Sequence, residues 1–90
     1  MNERLITERQ VKTGGGEVLV LHYFLLTECL HGKKEFGIEI AEQSSGYTTY
    51  APALHTNIQR VYDLIIKLAN GTVTPVGLSD VLADVLADWT

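Results

Sequence analysis

The clearest hydrophobic pattern in the chain lies between Thr56 and Gly71, and its period is that of an α-helix. At about 100° per residue, its polar side chains fall within an arc of roughly 100°, and its apolar ones fill about 200°. Thr56 and Gln59 have the T-x-x-Q spacing of a capping box, and Gly71 suits the left-handed residue that ends many helices. The pattern predicts one helix whose apolar arc needs at least two covering surfaces.

The first part of the chain predicts a hairpin of two strands. Residues 3–12 alternate weakly and are rich in charge, which suits an edge strand because charge discourages pairing with other chains. One face of this strand would carry Leu5, Thr7, Arg9 and Val11. Gly14 to Gly16 provide the reversal, and Glu17 to Thr27 are apolar on both parities, which indicates a central strand covered on both faces. Its helix-facing side is predicted to be Leu19, Leu21, Tyr23 and Leu25.

A third strand follows, with apolar residues alternating with polar residues or glycine. Its buried face is predicted to be Phe36, Ile38 and Ile40. Gly37, inside this strand, indicates a bulge or the close approach of another backbone or ring. Residues 47–51 are a candidate fourth strand that Pro52 ends.

A second helix is predicted near the end of the chain. Thr74 and Pro75 provide a cap and a favourable first helical position, so this helix begins there or at Ser79. Its apolar positions recur at helical spacing: Leu78, Val81, Leu82, Val85, Leu86 and Trp89. Hairpins followed by two helices predict an α+β domain, in which an antiparallel meander of three to four strands carries both helices on one face.

Composition limits the classes of function. Ninety residues, 46% hydrophobic and 20% charged, predict a single globular domain spanning residues 1–90. A net charge of −4 is the wrong sign for a protein that binds nucleic acid through phosphates. The longest apolar run, Val18 to Leu26, is about half the length of a membrane span, and Met1 to Gln10 lacks the apolar region of a signal peptide. We therefore expect a cytoplasmic protein that binds neither nucleic acid nor membrane.

The candidate chemical groups do not assemble into a familiar site. Cys29 and His31 are of the types that bind zinc, but a closed structural site needs four ligands, and the usual paired spacings are missing. The same two residues lack a third group that would orient the imidazole for nucleophilic catalysis. The three glycines lie between strands, whereas phosphate loops open onto a helix. We predict no enzyme activity, no catalytic residue, no metal site and no cofactor.

Three stretches carry a resemblance to known proteins. They are the central-strand sequence HYFLL, the strand Phe36-Gly37-Ile38-Glu39-Ile40, and Thr74-Pro75-x-x-Leu78-x-Asp80-Val81 after an amphipathic helix. Together they resemble a family of short bacterial proteins of unknown function, of about 90 residues, and the resemblance covers most of the chain. The resemblance implies no assigned activity, ligand or catalytic residue.

The central strand suggests how the protein acts. Two helices cover only one side of a small sheet, yet this strand is apolar on both sides, so another surface must cover the second. We predict a homodimer whose interface includes Val18, Val20, His22, Phe24 and Leu26. The alternative cover is internal, by the N-terminal strand or residues 47–54. The predicted function is a small interaction or regulatory module that acts through self-association or a protein partner. The alternative is a domain that binds a small ligand between sheet and helices.

Overall fold

The computed structural model describes residues 2–89, which form a four-stranded antiparallel sheet followed by two helices. The elements are β1 (Asn2–Lys12), β2 (Val18–Leu30), β3 (Lys33–Glu42), β4 (Thr48–His55), α1 (Ile58–Asn70), a 3-10 turn (Pro75–Gly77) and α2 (Leu78–Trp89). Each strand pairs with the next along the chain. The predicted α+β class and meander are confirmed, and the fourth strand is present.

The first strand changes parity part-way along. Leu5 lies opposite Phe24 and Thr7 lies opposite Tyr23, so Ile6 is an extra residue with no partner of its own. Such a bulge turns the residues before it to the other face relative to those after it. The prediction that Leu5 shares a face with Thr7, Arg9 and Val11 is therefore wrong for Leu5.

The hairpin between β2 and β3 has a turn of only two residues. β2 continues to Leu30, and the turn consists of His31 and Gly32, with φ of 52° and 78°. Two successive positive φ values mark the turn type that matches the right-handed twist of paired strands. Residues 28–30 therefore belong to the sheet, which extends β2 beyond its predicted end at Thr27.

The fourth strand also extends beyond its predicted end. Pro52 lies inside β4 instead of terminating it, because β4 is an edge strand and one side of its backbone needs no ladder partner. The register shifts here, since Ile38 pairs with Ala51 but Phe36 pairs with His55. Three residues of β4 therefore stand opposite Gly37 alone.

Both ends of α1 are capped by a neighbour of the predicted residue. The side chain of Asn57, rather than that of Thr56, accepts hydrogen bonds from the backbone N–H groups of Gln59 and Arg60, at 2.9 and 3.4 Å. At the other end, Gly71 has φ of −86° and the left-handed residue is Thr72, with φ of 49°. The predicted capping box and glycine cap are thus wrong by one residue each.

The core lies between the sheet and the helices. The predicted buried faces of β2 and β3 are confirmed, because Leu21, Tyr23, Leu25, Phe36, Ile38 and Ile40 all belong to it, while Leu19 is half-buried. The helices contribute Val61, Leu64, Ile65, Leu68, Ala69, Leu78 and Leu82. Ile58 and Tyr62, at the edge of the apolar arc of α1, stay exposed. Less of that arc is covered than the sequence predicted.

Candidate functional site

The face of the sheet turned away from the helices, the open face, combines apolar and titratable side chains. The smallest extent of the molecule is 17 Å, which leaves room for the sheet and one layer of helices. The apolar members of the open face include Leu5, Val18, Val20, Phe24, Leu26 and Tyr50, and its charged or titratable members include Lys12, Glu3, Glu8, His22 and Glu39. All five predicted interface residues of β2 therefore lie on one face.

One end of the open face is covered from within the chain. A Cβ built on Gly37 would lie 2.3 Å from the carbonyl oxygen of Ala51 and 2.7 Å from the Cα of Pro52, so β4 passes directly over this glycine. Residues of β4 also approach β2 to within 8 Å between Cα atoms, although strands two apart in a flat sheet are separated by about 9.5 Å. Leu26, opposite Gly37, is only 2% exposed.

The rest of the apolar part of the open face remains accessible. Leu5, Val18 and Tyr50 are 51%, 53% and 59% exposed, and Val20 and Phe24 are half-buried. Residues 47–54 thus supply the internal cover that was the alternative to a dimer, but only around Leu26. Four of the five predicted interface residues keep area that another surface can contact, and Leu26 does not.

Titratable groups are spaced along this face between the apolar side chains. His22 Nε2 lies 3.0 Å from a carboxylate oxygen of Glu8, and the His22 ring meets that of Phe24 edge to face. Glu39 stands opposite Phe24, with Glu3 diagonally across β2. Partial burial, and then the charge and hydrogen bonding of Glu3, raise the pKa of the Glu39 carboxyl. Lys12 is at the other end, opposite Val18.

The open face also carries Glu3, Lys12, Leu5 and Tyr50, which the sequence did not assign to it, and Glu39, which the alternation of β3 had placed opposite the buried face. The alternation of these residues with buried neighbours is a partial sequence signal for the face of the sheet that they occupy. However, the bulge at Ile6 sets which residues of β1 share the face, and the strand registers set which charges are neighbours.

The model of a family of unknown function, DUF6514, matches residues 2–88. The chain belongs to this family. No curated protein and no solved structure matches the DUF6514 chain. The resemblance to a family of unknown function is confirmed, whereas a bacterial origin stays a prediction.

A second feature of the DUF6514 chain is a surface pocket between the two helices. Its volume is about 210 Å³, and it is lined by Arg60, Asp63, Leu64, Lys67, Val85 and Trp89. Trp89 forms one wall of the pocket, and the Arg60 guanidinium lies 6.0 Å from the centroid of its ring. The ring of His55 packs edge to face against Trp89, with 5.4 Å between the two ring centroids. The pocket is smaller than the roughly 300–1,000 Å³ usual for small-ligand sites. It also lies between the helices, not between sheet and helices as the ligand hypothesis expected.

The buried tyrosine is not available to a ligand. The Tyr23 hydroxyl donates a hydrogen bond of 2.9 Å to the carbonyl oxygen of Val73, and burial raises the pKa of this phenol. Among residues 2–89, no buried side-chain nitrogen or oxygen lacks a partner. The space between sheet and helices is therefore occupied by a satisfied core around Tyr23.

Cys29 and His31, the candidate metal ligands, lie at the hairpin between β2 and β3. Cys29 is exposed at the end of β2, and His31 is in the following turn. Within the described part of the chain, no three side chains of the metal-binding types come together. No helix there is long and apolar enough to cross a membrane.

Proposed function

We propose that the DUF6514 chain is a small interaction module that self-associates as a homodimer through the open face. The observation that supports this most is the exposure of Leu5 beside the half-buried Phe24, of Tyr50 two strands from Phe24, and of Val18 toward the other end of the same face. Soluble monomers seldom expose large contiguous apolar patches, and symmetric pairing is the commonest way to bury one. The proposal includes a non-catalytic role and a cytoplasmic location, on the sequence arguments given above.

The dimensions of the face set the expected strength. Four strands span about 19 Å and eight residues span about 27 Å, which gives a projected area of roughly 500 Å² per copy. Stable interfaces bury on the order of 800 Å² of accessible surface per partner, so this one falls at the weaker end. We expect dissociation in the micromolar range and therefore a mass that depends on concentration.

Light scattering coupled to size-exclusion chromatography tests the proposal. The wild-type chain, of 9.9 kDa, should approach twice that mass at tens of micromolar. Phe24→Glu and Tyr50→Glu should each yield a folded monomer, since a carboxylate placed in the contact must lose its hydration. Tyr50 is the safer site because more of its side chain is exposed.

The matched control is Tyr62→Glu, which makes a similar change on the exposed edge of α1. It should leave the dimer intact. A wild-type chain that stays monomeric up to several hundred micromolar would refute the proposal. A dimer that Tyr62→Glu breaks and Tyr50→Glu does not would move the contact to the helices.

A further inference from the structure

Charge is distributed unevenly along the open face. Toward one end lie the carboxylates of Glu3, Glu28, Glu35 and Glu39, with Lys33 at the tip of that end; the Glu8–His22 pair lies in the middle, and Lys12 lies at the other end. Glu3 and Lys12 are separated by nine positions of one strand, or about 30 Å, so they do not interact within one chain. The face therefore has one end where four carboxylates outnumber one lysine, the acidic end, and an opposite end that carries Lys12, the basic end.

On the basis of the proposed homodimer, we propose that the two copies pack face to face with their β2 strands antiparallel, so that Lys12 of each copy contacts Glu3 of the other. The occupant of the face is thus a second copy in one defined orientation. Charge complementarity selects it, because each basic end then meets an acidic end.

The alternative two-fold arrangement has its axis along the strands and is less favourable. It would bring the Glu3 and Glu39 carboxylates of both copies to the same end, and like charges brought together at an interface oppose association. Within one chain, partial burial and then the charge and hydrogen bonding of Glu3 already raise the pKa of the Glu39 carboxyl. A second set of carboxylates nearby would add to the same cost.

The apolar residues fit the antiparallel arrangement as well. On the open face of β2, His22 is the middle residue, with Val20 and Phe24 on either side of it. A two-fold axis crossing β2 at His22 exchanges these neighbours, so Val20 of each copy faces Phe24 of the other. Packed sheets cross at about 30°, and the long Lys12 and Glu3 side chains can span the offset.

Charge reversal tests the orientation, with dissociation constants measured by sedimentation equilibrium. Lys12→Glu and Glu3→Lys should each weaken the homodimer by about tenfold or more, because each replaces two symmetric attractions by two repulsions. When the two variants are mixed, both contacts become Glu–Lys pairs again. The mixture should form a heterodimer about as tight as the wild-type dimer.

The control is Lys67→Glu, the same charge change on the exposed surface of α1, which should leave the dissociation constant within about twofold. A wild-type dimer that Lys12→Glu does not weaken, or single variants that fail to pair when mixed, would overturn the antiparallel arrangement while leaving self-association in place. A wild-type chain that is monomeric at every concentration would refute both proposals.

Discussion

Replacing Gly37 with alanine should destabilise the fold, because the added methyl group would meet backbone atoms of β4. The new Cβ would lie 2.3 Å from the Ala51 carbonyl oxygen, 2.7 Å from the Pro52 Cα and 3.1 Å from the Ala53 nitrogen. All three are backbone atoms, so no flexible side chain can move aside. Either β4 must lift away from the open face or β3 must shift.

The magnitude follows from this geometry. Overpacking typically costs about 1–3 kcal/mol, and a clash with backbone belongs at the upper end. Alanine also lowers the conformational entropy of the unfolded chain, which offsets about 0.4–1 kcal/mol of this loss of stability. The net loss is therefore about 2 kcal/mol of an unfolding free energy of roughly 5–13 kcal/mol for a chain of this size. At about 4–8 °C per kcal/mol, the melting temperature should fall by about 8–16 °C.

Urea and thermal unfolding, followed by far-UV circular dichroism at low protein concentration, measure this change. The control is Gly77→Ala, where the new methyl group meets Val73 and Thr74 side-chain atoms only at 3.8 and 3.9 Å. A Gly37→Ala chain as stable as the Gly77→Ala chain would show that β4 does not cross Gly37 as described.

Three further predictions concern the core, the titration of the open face and metal binding. Ile65→Ala should cost about 2–5 kcal/mol because Ile65 is fully buried, whereas Lys67→Ala should cost little; equal urea midpoints for the two would contradict the assigned helix faces. The pKa of the Glu39 carboxyl in the folded chain is raised above its ordinary 4.5. Because the folded chain holds this proton more tightly than the unfolded chain, the contribution of Glu39 to the free energy of unfolding is fully present below pH 4.5 and is lost as the pH rises through the raised pKa. Glu39→Gln should therefore match the wild type in urea midpoint at pH 4 and exceed it at pH 7, and a constant difference would contradict this. Protein purified without a histidine tag should contain no stoichiometric zinc; bound zinc that Cys29→Ser removes would show a site built on Cys29 and His31.

Much of the fold could be predicted because its strongest patterns are local. The buried side of β2 follows from alternation, since the odd-numbered residues around Tyr23 are apolar and His22 marks the other side. Gly37 also predicted a close backbone approach, and β4 supplies it. In both cases the residues of one strand were enough to predict the feature.

The remaining details depend on competition between neighbours or between distant segments. Thr56 and Asn57 are both good caps, and the sequence alone did not show that the Asn57 side chain would reach two backbone N–H groups. A proline ends a strand wherever the ladder needs a backbone N–H at that position. At Pro52 the ladder does not need one, because β4 is a bulged edge strand, and the strand continues to His55.

The candidate site was predicted only in part for the same reason. The residues of β2 follow from parity, but the neighbours of Phe24 depend on strand registers. Glu39 lies opposite it on β3, and Leu5 lies opposite it on β1 because of the bulge at Ile6. These are relations between strands, which the hydrophobic pattern of one strand does not contain.

The most direct test of self-association through the open face is an isotope-filtered NMR experiment on a mixture of labelled and unlabelled chains, which detects only contacts between copies. Packing of the two open faces should give intermolecular contacts from the Phe24 ring to the Val20 methyl groups, with none from Ile58 or Tyr62. Intermolecular contacts confined to the helices, or none at millimolar concentration, would contradict it.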